Sequence, residues 1–165
     1  MYLASNEWGY NLVEVIELSS LDLVDKMNYG PLTGCMVVVM CKGQCLIAYN
    51  RWRKQWELPA GGIEEGEGLE VCARRELLEE TNQSLEALKF VGLLKIYDSR
   101  KGLTKYQGLF YGEKDELDDF QTNDEMADID LWQVSDDMLD SFDSVDFKVL
   151  KECLRIVENQ PESSL

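Results

Sequence analysis

Three glutamates, Glu76, Glu79 and Glu80, stand at i, i+3 and i+4 within a stretch of strong helix formers running from about Gly68 to Thr81. On a helix their carboxylates share one face within side-chain reach. Like charges at that spacing destabilise a helix by a few tenths of a kcal/mol per pair, so the arrangement calls for a compensating cation. Magnesium is the natural candidate: it accepts a few carboxylate oxygens, keeps several waters and takes its remaining ligands from substrate phosphates. A cation held there would withdraw electrons from phosphorus, neutralise charge on the leaving group and lower the pKa of a bound water. The chain has no histidine, so a general base must be Glu, Asp, Lys, Tyr or Cys, and glutamate already lines the site. Arg75 can pair with Glu79 one turn on. Gly61 and Gly62 allow close backbone approach and offer a carbonyl to the metal.

The elements that must position this helix follow from periodicity. A weak alternation over 12–18 suggests a strand, and the continuous apolar run 35–40, a Lys42-Gly43 turn and 45–49 predict a β-hairpin. Asn82 suits a left-handed helix end. Apolar stretches at 88–97 and 103–111 flank Asp98-Ser99-Arg100-Lys101-Gly102, a hairpin connection. An acidic loop over 113–128 precedes a short strand from Ile129 to Val134. Val145, Val149, Leu150, Cys153, Leu154, Ile156 and Val157 recur at helical spacing after the capping pair Asp143-Ser144. The tail 160–165 is polar and expected to fray.

Bulk composition bounds the partners. With 165 residues, 45% of them hydrophobic, the chain suits one domain spanning 1–165. Its formal net charge of -16 repels polyanions and anionic lipid, which argues against nucleic acid as the main partner and against a membrane surface. A small phosphorylated substrate can still enter an acidic cleft whose sign is inverted locally by a divalent cation. Five cysteines without CxxC spacing read as reduced, buried thiols. The N-terminus lacks a basic, apolar leader, so a cytoplasmic location is expected.

A solvated acidic face is the ordinary reading of a charge run, but the wider spacing is too specific for it. Gly61, Glu67, Arg75, Glu76, Leu77, Glu79 and Glu80 satisfy G-x5-E-x7-R-E-[apolar]-x-E-E, which resembles the signature of the Nudix hydrolases. The resemblance implies an α/β/α sandwich with a mixed β-sheet, a loop-helix-loop catalytic motif, Mg2+ or Mn2+, and hydrolysis of a diphosphate bond in a nucleoside-diphosphate derivative. It implies Glu79 and Glu80 as principal metal ligands, Glu76 as ligand or base, Gly61 as a carbonyl ligand, Arg75 as an orienting partner and Glu67 as a supporting carboxylate. An acid from a later loop is a further member by the same resemblance, and Glu125 sits suitably ahead of Trp132. The family's usual x-G-[apolar] sequel is here Thr81-Asn82-Gln83, a departure at the helix exit. Homodimers are common in the family.

Arg51, Arg53 and Trp56 are candidates for substrate binding, arginines on phosphate and indole on a base; packing of Trp56 in the core is the alternative. Tyr97, Arg100, Lys101 and Lys105 on the later hairpin have the same standing. Within the family the substrate is expected to be a small nucleotide, with an oxidised one such as 8-oxo-dGTP leading. ADP-ribose, a nucleotide sugar, a dinucleoside polyphosphate or an RNA end are alternatives, and a catalytically silent nucleotide sensor is the reading from another functional class.

Overall fold

The run from Cys35 to Val39 is unbroken by polar residues because both of its faces are covered. It lies in β3 (Leu32–Cys41), where Cys35, Val37 and Val39 enter one apolar cluster and Met36 and Val38 another, as a central strand requires. The computed structural model describes residues 1–161. Its other strands are β1 (Ala4–Ser5), β2 (Tyr10–Glu17), β4 (Gln44–Asn50), β5 (Gln55–Glu57), β6 (Ala60–Gly62), β7 (Lys89–Asp98), β8 (Leu103–Lys114) and β9 (Met126–Trp132). The helices are α1 (Asp22–Lys26), α2 (Leu69–Thr81) and α3 (Ser144–Glu158).

The sheet runs β1-β2-β7-β8-β3-β4-β5, with β6 on β3 and β9 on β4. β3 and β8 are parallel while their other neighbours pair antiparallel, so the sheet is mixed. Leu69, Cys72, Ala73 and Leu77 of α2 complete the cluster on one face; Val145, Val149, Leu150, Cys153 and Ile156 of α3 complete the other. One helix on each face makes the predicted α/β/α sandwich.

Both long helices end as their sequences dictate. Asn82 takes the left-handed conformation at φ 60° and donates its N–H to Leu78, and Asp143 caps α3 by accepting from the Val145 and Asp146 N–H groups. The acidic loop is shorter than its composition suggests. β8 continues to Lys114 because Glu113 and Lys114 still pair with Met40 and Cys41, and β9 begins at Met126, whose side chain is buried. The short elements α1, β1, β5 and β6 escape periodicity analysis, since two to five residues carry no period. The five thiols are free and buried, and no described helix is long and apolar enough to cross a membrane. Most of the segment expected to fray, 162–165, lies outside the described residues.

Candidate active site

The site is assembled by a close approach of backbone to backbone. β6 pairs with β3 through Gly34 opposite Gly62 and Cys35 opposite Gly61. A Cβ on Gly34 would collide with the Gly61 carbonyl, and one on Gly61 would overlap the Glu76 carboxylate. Two bare Cα atoms therefore seat the loop between β3 and α2 and bring Glu76 down onto it. The Gly61 carbonyl lies against Gly34 on the β3 side, with Cys72 Sγ 3.8 Å away, so what Gly61 turns toward Glu76 is its Cα rather than its oxygen.

Arg75 organises the glutamates. Its Nε and Nη2 grip both oxygens of Glu67 at 2.6 and 2.8 Å, Nη1 donates to Glu76 at 2.7 Å and Glu79 at 3.2 Å, and Nη2 also reaches the Gly62 carbonyl at 2.8 Å. The fork suits this bidentate task in a way a lysine would not. Its hydrogen bonds hold the Glu67 carboxyl down at about 2, so Glu67 is an ionised strut and a poor proton acceptor. Glu76 is pushed the other way by burial, against the pull of Arg75. Glu79 is exposed at the rim.

Glu80 is 4% exposed. It accepts from the Ala60 N–H at 2.8 Å, and burial, followed by a hydrogen-bonding approach of the Glu125 carboxylate, holds its pKa well above the carboxylate range. Glu125 is delivered by a clamp. Asn123 donates to the Glu79 and Glu80 carbonyls at 3.2 Å and accepts from the Glu125 and Met126 N–H groups. Gln83, where the resembling pattern has an apolar residue, is fully buried; its amide donates to Thr81 and Asp118 carbonyls and accepts from the Asp118 N–H. The departure at the helix exit thus ties the acidic loop to α2 with satisfied hydrogen bonds in place of apolar contact.

A cleft of about 580 Å³ opens beside Ala60, Gly61 and Gly62, walled by Trp8, Tyr10, Arg53, Lys101 and Lys105 and by the carboxylates Glu57, Asp143 and Asp146. Arg53 reaches it, braced on Glu57 at 2.6 Å. Arg51 does not: its guanidinium turns to the Met126 carbonyl at 3.4 Å. Trp56 also stays out, packing edge-on against Tyr49 at 5.2 Å, because alternation along β5 sends Gln55 and Glu57 one way and Trp56 the other. Asn6, Trp8 and Tyr10, too far away in sequence to be associated with the motif, join the cleft through Asn6, which donates to Asp143 at 3.0 Å, and Trp8, which donates to Gln55 at 3.2 Å.

Among the described residues no three carboxylate or thiol groups are gathered at metal-ligand spacing; Arg75 draws Glu67 and Glu76 to itself while Glu80 turns to Ala60. The donor set nevertheless fits a hard divalent cation: oxygen only, with the buried Glu80 carboxylate, whose charged form burial disfavours, beside the exposed Glu125. Two outcomes follow. Gly61→Ala should displace Glu76 and lower turnover about 10²-fold with little change in melting temperature; unchanged kinetics would show that Glu76 needs no such seat. A carboxyl whose folded pKa is raised contributes its full stability below the unfolded value, near 4.5, and loses it as pH rises through the folded value. In EDTA, Glu80→Gln should therefore melt above the parent at pH 8, by about 2–4 °C per kcal/mol of relieved desolvation, and the gap should close on acidification toward pH 4.5. A pH-independent gap would contradict this.

The NUDIX domain model matches residues 30–153, which contain every element of the site except the N-terminal wall of the cleft. The RNA pyrophosphohydrolase of Pelagibacter ubique is 29% identical over 156 residues, covering 82% of this chain and 98% of that protein. The RNA pyrophosphohydrolase of Caulobacter vibrioides is 69% identical, but over 26 residues, so this chain spans only 15% of its length. In fold, the Bacillus subtilis pyrophosphohydrolase BsRppH superposes with a TM-score of 0.74 at 18% identity, covering 99% of this chain and 98% of that one. With the domain match extending over most of the chain, this protein belongs to the Nudix family.

Proposed function

We propose that this protein is a divalent-metal-dependent pyrophosphohydrolase that cleaves the diphosphate linkage of a nucleotide 5′-polyphosphate. The observation that carries the reading is that Arg75 orders Glu76 and Glu79 on one helix face, with Glu80 and Glu125 beside them, next to the Ala60, Gly61 and Gly62 strand that edges a cleft of about 580 Å³. Glu76, Glu79 and Glu80 hold the cation, Mg2+ or Mn2+, which when bound supplies charge neutralisation at the diphosphate and acidifies water. Glu125 is exposed beside Glu80 and takes the proton of the attacking water. Arg53, Lys101 and Lys105 offer positive charge along the cleft for the phosphates.

The names of the relatives favour RNA over the oxidised free nucleotide expected from sequence. In RNA a diphosphate linkage occurs only at a 5′-polyphosphate end, so such a substrate enters end-first and only its terminal nucleotide needs to fill the cleft. The overall charge of -16 is a weaker objection to that than to binding along a strand, because Arg53, Lys101 and Lys105 line the cleft and surface fields are screened within about 8–10 Å at physiological salt.

A hydrolysis panel with Mg2+ or Mn2+ should include 5′-triphosphorylated RNA, GTP, ATP, 8-oxo-dGTP, ADP-ribose and dinucleoside polyphosphates. The reading predicts metal-dependent release of phosphate or diphosphate, with 5′-triphosphorylated RNA ahead of 8-oxo-dGTP, and a loss of about 10²-fold or more in Glu125→Gln. Silence across the panel would favour a nucleotide-sensing role, and near-parental rates in Glu125→Gln would remove that residue from the chemistry.

A further inference from the structure

The sulfurs of Cys35 and Cys72 lie 3.0 Å apart, closer than the roughly 3.5–4.0 Å at which unbonded atoms pack. Both residues are fully buried. They stand 37 positions apart in the chain and on different elements, Cys35 on β3 and Cys72 in the first half of α2. Cys45, by contrast, gives its S–H to the Leu46 carbonyl. A buried cysteine usually serves as a small apolar side chain. Two sulfurs in contact between a strand and a helix are also one oxidation away from a covalent link, since a disulfide needs them about 2.05 Å apart, about 1 Å closer than here.

Both thiols lie beneath the seat of Glu76. Cys35 is opposite Gly61 in the register of β3 with β6, and Cys72 precedes Glu76 by four residues, on the same face of α2 one turn away. Cys72 Sγ is 3.8 Å from the Gly61 carbonyl and 3.9 Å from Arg75 Nη2. The thiol therefore sits just under the loop that joins β6 to α2, where Glu64, Glu65 and Gly66 are exposed. Exposed loops open locally at far lower cost than the core, and such an opening admits a molecule the size of hydrogen peroxide to Cys72.

We propose that Cys35 and Cys72 are a reversible redox pair, in which a peroxide closes a disulfide that draws α2 toward β3 and disables the glutamate site. The Cys72 sulfur attacks one oxygen of hydrogen peroxide, the O–O bond breaks, and a sulfenic acid and one water result. The Cys35 sulfur then attacks the Cys72 sulfur; the S–S bond forms and the hydroxyl leaves with the Cys35 proton as a second water. Two thiols and one peroxide thus give one disulfide and two waters, and exchange with a small thiol reductant reopens the bond. Closure shortens the gap by about 1 Å at the turn before Glu76. The Glu76 carboxylate already fills the space beside Gly61, so it cannot follow α2 inward and is displaced along its seat. Misplacement on that scale costs on the order of 10²-fold in rate, and a displaced Glu76 holds the cation less well. The effect on turnover rests on the pyrophosphohydrolase reading; the linkage does not.

The test treats the full chain with hydrogen peroxide, alkylates the remaining thiols and maps the digest by mass spectrometry, with Mg2+-dependent turnover and calorimetric Mg2+ binding measured on the same samples. The expected result is a linked Cys35–Cys72 peptide pair, two hydrogens lighter than its reduced parts, accompanied by at least tenfold lower turnover and weaker Mg2+ binding, both restored by dithiothreitol. Cys72→Ala should keep the turnover of the reduced parent and lose the response to peroxide. No linked peptide, a linked peptide with unchanged turnover and Mg2+ affinity, or the same loss of turnover in Cys72→Ala would overturn the proposal. The parent's linkage and its reversal decide the matter even if the variant fails to fold. A linkage that weakens Mg2+ binding in a protein that hydrolyses nothing on the panel would sink the pyrophosphohydrolase reading and leave this one standing.

Discussion

One guanidinium stands among four carboxylates at the working end of α2. Arg75 lies within 4 Å of Glu64, Glu67, Glu76 and Glu79, and without it the helix face would carry uncompensated like charges one turn apart. Its planar fork spends two donors on Glu67, which fixes the loop before α2 to the helix, and turns a third toward Glu76, which fixes the helix to the Gly61 backbone. Loop, helix and carboxylates are thereby one unit, and the geometry of the site follows from where that unit is docked on β3.

Compensation is deliberately incomplete in physical terms. One positive charge cannot balance the surrounding acids, and Glu80 and Glu125 lie outside its reach, facing each other with Glu80 desolvated. The remaining negative field is what a hard cation and a polyanionic phosphate chain share. The neighbouring cleft sets Arg53, Lys101 and Lys105 beside a buried acidic network of Glu57, Asp143 and Asp146.

Much of this was legible in the sequence, and the reasons are local. Glu76, Glu79, Glu80 and Arg75 share one helix whose period fixes their common face, and Asn82 and Asp143 announce the helix ends by side-chain chemistry alone. The pairing of β3 with β8 was hidden, because a parallel register depends on contacts about 70 residues apart. Composition could not place Trp56 and Arg51: alternation along β5 turns Trp56 away from Gln55 and Glu57, and Arg51, in the turn before that strand, donates to the Met126 carbonyl. Asp146 was invisible for a different reason: read along the chain it is one more acid in the first turn of a helix, and only the fold shows that it is buried and accepts the Leu58 N–H.

The claim on which the account turns is that the buried Glu80 carboxylate, with Glu76 and Glu79, is a divalent-cation site. Its most direct test is a calorimetric Mg2+ titration of the parent and Glu80→Gln at pH 6, in buffers of different ionisation enthalpy. The account predicts saturable binding accompanied by proton release, because the cation must displace the proton that burial and Glu125 favour, and binding at least tenfold weaker without that release in Glu80→Gln. Absence of saturable binding in the parent, or equal affinity and equal proton release in both proteins, would contradict it.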